Sequence, residues 1–330
     1  MVQHIATANY SLLALSKLIA TKYYGETLRK LITLVTTDWT TSKQTWERNT
    51  MLKIAKRGRN LSFRCYISSM GTFLFYLFVN LLKFYRNFHQ SERKLVYQFN
   101  YPYNIQKSPN YEITFFIQLC GALYMGLVLC SVDSLISILL LHVCAQLINL
   151  GKTLNELVEK LAKQFISCSR FRKDLAAIIE RHENLIRSAK TIDDCYSTVL
   201  FIHMIAATFQ LCFETYQIFM LMTDKNANIS VFKMTFLVLY ATAVLTHLYF
   251  YCYSAERLLT ESINIAYSVY ECKWYNLPAK DAKDLMFMMH RSTIPLRLTA
   301  GKFAIFSLEM YGTHHLFEYG SNSSNGDDVH

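Results

Sequence analysis

Residues 113–150 read ITFFIQLCGALYMGLVLCSVDSLISILLLHVCAQLINL, 38 positions with a single carboxylate, Asp133, and no lysine, arginine or proline. A helix that crosses a membrane needs roughly 20 mostly apolar residues. As one helix this stretch would be about 57 Å long at 1.5 Å per residue, against a hydrocarbon layer of about 30 Å. The helix is therefore expected to leave the bilayer and continue beyond it. Its far part, Leu139 to Leu150, is apolar and needs other helices to pack on. The stretch predicts an all-α membrane bundle with a helical domain beneath it.

The rest of the chain agrees with that reading. Cys65–Leu82 carries no charge, Cys195–Met222 carries only Glu214, and Val231–Ser254 carries only Lys233. Two weaker segments stand at the ends, His4–Thr21 with Lys17 and Leu298–Gly312 with Lys302 and Glu309. Four prolines and ten glycines in 330 residues argue for long helices over many short strands. The architecture expected is a polytopic bundle over residues 1–312, with a disordered polar tail at 313–330.

Charge gives an orientation. The connectors 22–64, 151–194 and 255–297 hold ten, nine and six Lys plus Arg, 25 in all, whereas 83–112 and 223–230 hold five and one. Basic connectors stay in the cytosol, so the first three are expected there and both ends of this sequence outside. The net charge of +10 is thus explained by membrane topology, and no nucleic-acid partner is implied. The sequons at Asn228 and Asn322 lie on expected outer stretches and are candidate glycosylation sites; the one at Asn60 lies on an inner stretch. The start has no basic residue before its apolar run and no clear cleavage site, so no signal peptide is read.

Motifs of enzymes are absent: no HExxH, GxSxG or GxGxxG occurs. The run TAGKF at 299–303 lacks the first glycine of a phosphate loop and has Phe303 where a magnesium-binding hydroxyl belongs. His314-His315 has no further ligand at metal-site spacing, and nine scattered cysteines form no CxxC pair. Those cysteines read as small buried apolar side chains. Neither an enzyme, a cofactor nor a metal is expected.

Three patterns carry the remaining information. His203, Gln210, Glu214 and Gln217 share one helical face. A charge costs about 2.5–3.5 kcal/mol or more at mid-membrane, so this face should meet protein or water, either as a hydrogen-bonded helix contact or as the wall of a cavity. Ser69, Phe73, Tyr76 and Asn80 form a second stripe. Phe115, Gln118, Ala122 and Met125 are expected to face it, with Phe236 and Tyr240 closing the space. Aromatic walls with few polar anchors suit a small-molecule pocket; ordinary helix packing produces the same stripe. Last, 278–293 reads as an amphipathic helix. Pro278 starts it, Asp281 and Asp284 lie early, His290 and Arg291 lie late, and Pro295 ends it. Its apolar stripe holds Leu285, Met288, Met289 and Ser292.

The pieces AYSVYECKWYNLP, MFMMHRSTIPLRLTAGKF and FSLEMYG, in that order, resemble the C-terminal signature of the insect odorant receptor family. Weaker likeness extends through Asp38-Trp39 and YPYNIQKSPNYEITFFIQ, and covers nearly the whole chain. The resemblance implies a seven-helix subunit with a cytoplasmic amino end, in the plasma membrane of a sensory neuron dendrite. It implies a cation channel gated by volatile odorants and built as a heterotetramer with a co-receptor, its last helix lining the pore. It also implies that Trp274, Tyr275, Leu285 and Met289, before Pro295, pack a cytoplasmic anchor between subunits. Against that pattern the sequence lacks the first helix and the apolar helix after Tyr311, leaving five to six of seven spans. Truncation at both ends and impaired conduction are expected. The alternatives are a G-protein-coupled receptor, which needs the opposite orientation, a non-conducting partner subunit, and a secondary transporter, which needs internal repeats that are not visible.

Overall fold

The computed structural model describes residues 2–87, 95–97, 99, 101–223, 231–272, 274–301 and 303–312. Asn228, Asn322, Lys302, His314, His315 and the tail 313–330 lie outside the described residues. The elements in chain order are α1 (Val2–Tyr23), α2 (Gly25–Thr41), α3 (Thr45–Asn87), α4 (Asn110–Ala162), α5 (Cys168–Thr223) and α6 (Val231–Glu271). A 3-10 turn (Trp274–Asn276), α7 (Ala279–Ser292) and a hairpin of β1 (Thr299–Ala300) and β2 (Ala304–Ile305) follow. Among the described residues, α3, α4, α5 and α6 are long and apolar enough to cross a membrane. They contain the four uncharged or singly charged runs read from sequence. Helix α4 has 53 residues without a break, about 80 Å at 1.5 Å per residue.

In the connector 22–64, read from sequence only as a basic cytosolic stretch, α2 and the start of α3 occupy most of the length. Of α2 only Leu28 and Leu31 are buried, and its threonines bond back to carbonyls one turn earlier, as Thr33 to Arg29 and Thr37 to Thr33 do at 2.9 Å. The segment 298–312 is not one helix. Gly301 has φ +61°, a left-handed conformation that residues with a Cβ disfavour, and the chain reverses there to pair Thr299 with Ile305 and Ala300 with Ala304. Helical structure resumes at Leu308.

The chain divides into two compact units. The first comprises Met1–Lys22, Leu61–Ser134 and Ile202–Leu248. One of its clusters joins Leu13 and Ala14 of α1, Leu129 of α4 and Ala206 of α5, with Tyr10, Met125 and Ile202 against it. Outside that core the unit presents bare apolar side chains, among them Leu74, Ile117, Phe209 and Phe219. A continuous coat of such residues is what lipid requires and what water would penalise.

The second unit comprises Tyr23–Asn60, Leu135–Phe201 and Tyr249–His330. Here the far part of α4 finds the partners its sequence demands. Leu140, Leu147, Leu150 and Leu154 are fully buried, and Leu141 and Ala145 pack with Met51, Ile54, Trp39 and Tyr253. Polar links fix the same helices: His142 meets Asp38 at 2.8 Å, Arg181 donates to Gln146 at 2.5 Å, and Lys152 sits 4.3 Å from the Trp46 ring centre. Gly151 lets α4 approach α6 closely, since a Cβ there would fall 2.9 Å from the Ser268 hydroxyl oxygen. The hairpin is tied to α5. Asp193 accepts from the Thr299 amide at 2.7 Å and from its hydroxyl at 3.0 Å, and the Gly301 amide donates to the Ser197 carbonyl at 2.8 Å.

Helix α7 follows the charge order expected of it. Asp281 lies in its first turn, with His290 and Arg291 in its last. Asp281 is fully buried and accepts from Arg172 Nε at 2.6 Å. Leu285, Met288 and Ser292 are buried; Met289, on the same stripe, is half-buried.

Candidate functional site

The aromatic stripe of α3 lies in the first unit. Tyr76 meets Phe236 of α6 with ring centres 5.4 Å apart, and Phe236 stacks on Tyr240 at 5.9 Å. Rings at these separations attract beyond the area they bury. Phe73, Tyr76, Phe236 and Tyr240 are all half-buried, which leaves part of each ring surface for another group. Asn80 is buried, and its amide donates to the Tyr76 carbonyl at 2.8 Å.

The residues expected opposite are divided between two clusters. Phe115 is buried beside Leu95, Val96, Tyr111 and Leu119, with Tyr76, Phe84 and Tyr97 against them. Gln118 is fully engaged: its oxygen accepts from the Tyr97 amide at 2.9 Å, and its nitrogen donates to the Tyr97 carbonyl at 2.9 Å and the Tyr101 hydroxyl at 2.7 Å. It thereby pins the segment before α4 onto that helix. Met125 packs with the α1 cluster. Tyr76, Phe236, Tyr240 and Phe115 therefore form a neighbourhood around Tyr76, while Gln118 and Met125 serve other contacts.

A buried polar group in the same unit has no counterpart in the spacing of the sequence. Lys17 of α1 and Asp133 of α4 form an ion pair in which both side chains are fully buried. The second oxygen of Asp133 accepts from His247 Nδ1 of α6 at 2.6 Å. With Nδ1 so engaged, Nε2 turns to Ser69 of α3, 2.8 Å from its hydroxyl. Cys65 Sγ lies 3.4 Å and Cys130 Sγ 3.9 Å from the same nitrogen. The sequence leaves Asp133 either to pair with a base or to lie just below the membrane, and the structure gives it Lys17 as that base. Opposite sign was the available signal, because a lone intramembrane charge requires a partner; His247, Cys65 and Cys130 carried none.

On the polar face of α5, His203, Gln210 and Glu214 are buried and Gln217 is half-buried. Gln210 donates to Glu214 at 2.9 Å, one turn along the same helix. The His203 ring lies 6.5 Å from that of His247, so this face borders the ion-pair group.

In the second unit the predicted anchor residues gather around a small apolar cleft of about 80 Å³, lined by Val269, Tyr270, Trp274, Leu285, Met286 and Met289. Trp274 and Tyr275 meet edge to face at 6.2 Å, and Pro295 is half-buried. Tyr275 is 68% and Phe287 72% exposed, and Tyr270 and Met286 are exposed beside them. Exposed apolar side chains of this size suit a surface that another chain covers. A second cavity in this unit, about 410 Å³, is lined by Leu147, Gly151, Glu261, Asn264, Tyr267 and Glu271 among others. Neither cavity is lined by the aromatic stripe of α3.

Close by, Cys272 is buried and its thiol donates to the Val269 carbonyl at 2.9 Å. Burial pushes its pKa up from the ordinary 9.0. A raised folded value means the unfolded chain loses this proton first, so the contribution to stability is present below pH 9 and lost above it. At pH 8, alkylation followed by mass spectrometry is expected to label exposed Cys168 well before Cys272. Equal labelling would place Cys272 at the surface.

A sequence profile described as "7tm Odorant receptor" matches residues 1–314. Curated relatives include odorant receptor 13a of Drosophila melanogaster, 23% identical over 236 residues, covering 68% of this chain and 55% of that one. The odorant receptor coreceptor of Anopheles gambiae is 24% identical over 135 residues, 41% of this chain and 27% of that one. The chain spans about half the length of the first curated relatives it matches. Among solved structures, the insect olfactory receptor OR5 from Machilis hrabei in complex with eugenol superposes with a TM-score of 0.81 at 15% identity, over 97% of this chain and 79% of that one. The same receptor without that description of a ligand gives 0.81 at 16% identity, over 99% and 81%.

Proposed function

The chain belongs to the insect odorant receptor family, a family of multi-pass membrane proteins, and from that premise we propose that it is a subunit of a cation channel opened by volatile organic molecules. It works in the plasma membrane, assembled with a co-receptor subunit. The observation that carries the ligand part is the run of half-buried rings from Tyr76 through Phe236 to Tyr240. Flat aromatic walls suit a small aromatic ring. Eugenol, the ligand named for the Machilis receptor, is a molecule of that class and supports the reading.

The assembly part is supported by the exposed apolar surface of Tyr270, Tyr275, Met286 and Phe287. A face of that composition is suited to the buried core of a subunit interface. Opening follows from ligand-induced tilting of the helices that hold the rings, which requires that the ligand bind the tilted arrangement more tightly.

The test is expression of the chain with and without an odorant receptor coreceptor, recording current while phenolic and other volatile ligands are applied. An inward cation current is expected only from the pair, reduced in size in keeping with the impaired conduction expected of this chain. Tyr240→Ala and Phe236→Ala are expected to raise the half-maximal ligand concentration about tenfold, the equivalent of about 1.4 kcal/mol, with surface expression unchanged. Co-purification without any evoked current overturns the channel reading. Unchanged ligand sensitivity in both variants removes these rings from the site.

A further inference from the structure

We propose that Cys65, Cys130 and His247 form a binding site for a soft metal ion of the zinc class, held between α3, α4 and α6. One ligand atom from each residue lies within 4.8 Å of the others. His247 Nε2 is 3.4 Å from Cys65 Sγ and 3.9 Å from Cys130 Sγ. A shared ion requires such spacing: Zn–S is about 2.3 Å and Zn–N about 2.0–2.1 Å, so a nitrogen and a sulfur on one ion lie less than about 4.4 Å apart. With the imidazole held in place by Asp133, rotation of the Cys65 and Cys130 side chains about Cα–Cβ brings their sulfurs to an ion that replaces the Ser69 hydroxyl on Nε2. Ser69, now 2.8 Å from that nitrogen, is left beside the fourth coordination position.

The surroundings suit the ion in two further ways. Asp133 holds Nδ1–H of His247 at 2.6 Å. This is the carboxylate–histidine support that fixes the tautomer of a metal ligand and raises its basicity. Charge also closes. Two thiolates neutralise a divalent ion, and Lys17 neutralises Asp133, so the loaded group adds no net charge to an apolar environment. Binding releases the two thiol protons to solvent. The His247 side chain is 12% exposed, and Cys65 and Cys130 are buried.

The test uses the full chain, purified in detergent, and Co²⁺ as an optical probe. Tetrahedral thiolate coordination is expected to give ligand-field absorption and a thiolate-to-cobalt charge-transfer band, saturating at one ion per chain and bleached by Zn²⁺. Cys65→Ala, Cys130→Ala and His247→Gln are each expected to weaken binding by more than about tenfold, the smallest loss typical even for removing an outer partner of a ligand. Cys212→Ala, an exposed cysteine elsewhere, is expected to bind as the parent does. Absence of the charge-transfer band, or full affinity in Cys130→Ala, overturns the proposal. A measurement on the unaltered chain guards against variants that do not fold: Zn²⁺ is expected to protect Cys65 and Cys130 from alkylation and to raise the unfolding temperature. Equal labelling with and without Zn²⁺ overturns it as well. None of these readouts requires the chain to conduct.

Discussion

Asp133→Leu is expected to destabilise the first unit by about 3–5 kcal/mol, the usual cost of removing one member of a buried ion pair. The substitution leaves Lys17, fully buried, without its carboxylate, and takes from His247 the acceptor of its Nδ1–H. Lys17→Met is the milder change, because Asp133 keeps His247 as a partner. The double variant Lys17→Met/Asp133→Leu is expected to recover most of the loss, since no uncompensated charge remains and two apolar side chains fill the space. Thermal unfolding of the purified chain and its yield at the cell surface both report the ranking. A single Asp133→Leu variant as stable as the double one would show that the pair does not hold these helices.

Leu147→Ala should cost about 2–5 kcal/mol in the second unit. Leu147 is fully buried on α4, so truncation removes apolar contacts and leaves a cavity that rigid helices fill only in part. Ile138, nine residues earlier on the same helix, is 47% exposed, and Ile138→Ala is expected to change stability by less than about 1 kcal/mol. Comparison of unfolding temperatures separates the two. Equal effects would mean that the far part of α4 is not the core of this unit.

Much of the architecture was legible because lipid imposes a simple rule on composition. Runs with at most one charge became parts of α3 to α6, and the arithmetic on 113–150 required a helix that outlasts the bilayer. α7 was legible because its proline, acids, bases and apolar stripe all agree. α2 carries Leu28, Leu31, Ile32 and Val35 at helical spacing, a pattern that a count of lysines and arginines along the connector passes over. The segment 298–312 misled through its apolar content, while the positive φ of Gly301 and the tether from Asp193 decided its course. Asp193 and Thr299 are 106 positions apart, and no local pattern links them. The same holds for the ion-pair group: Asp133, Lys17, His247, Cys65 and Cys130 come from four helices. Of the aromatic stripe, Tyr76 meets Phe236 and Phe236 stacks on Tyr240, a contact between helices that spacing along one helix does not fix. Nor could spacing show that Gln118 spends its amide on Tyr97 and Tyr101.

The Lys17–Asp133 pair bears on how the nascent chain enters the membrane. Their positions differ by 116 residues. At a translation rate of about 5–20 residues per second, α1 leaves the ribosome roughly 6–23 s before its counter-ion is made. Through that interval the ammonium of Lys17 opposes insertion by up to about 2.5–3.5 kcal/mol. Slowing or stalling synthesis between α1 and α4 is expected to lengthen the interval before Asp133 reaches Lys17, and with it the exposure of α1 to quality control.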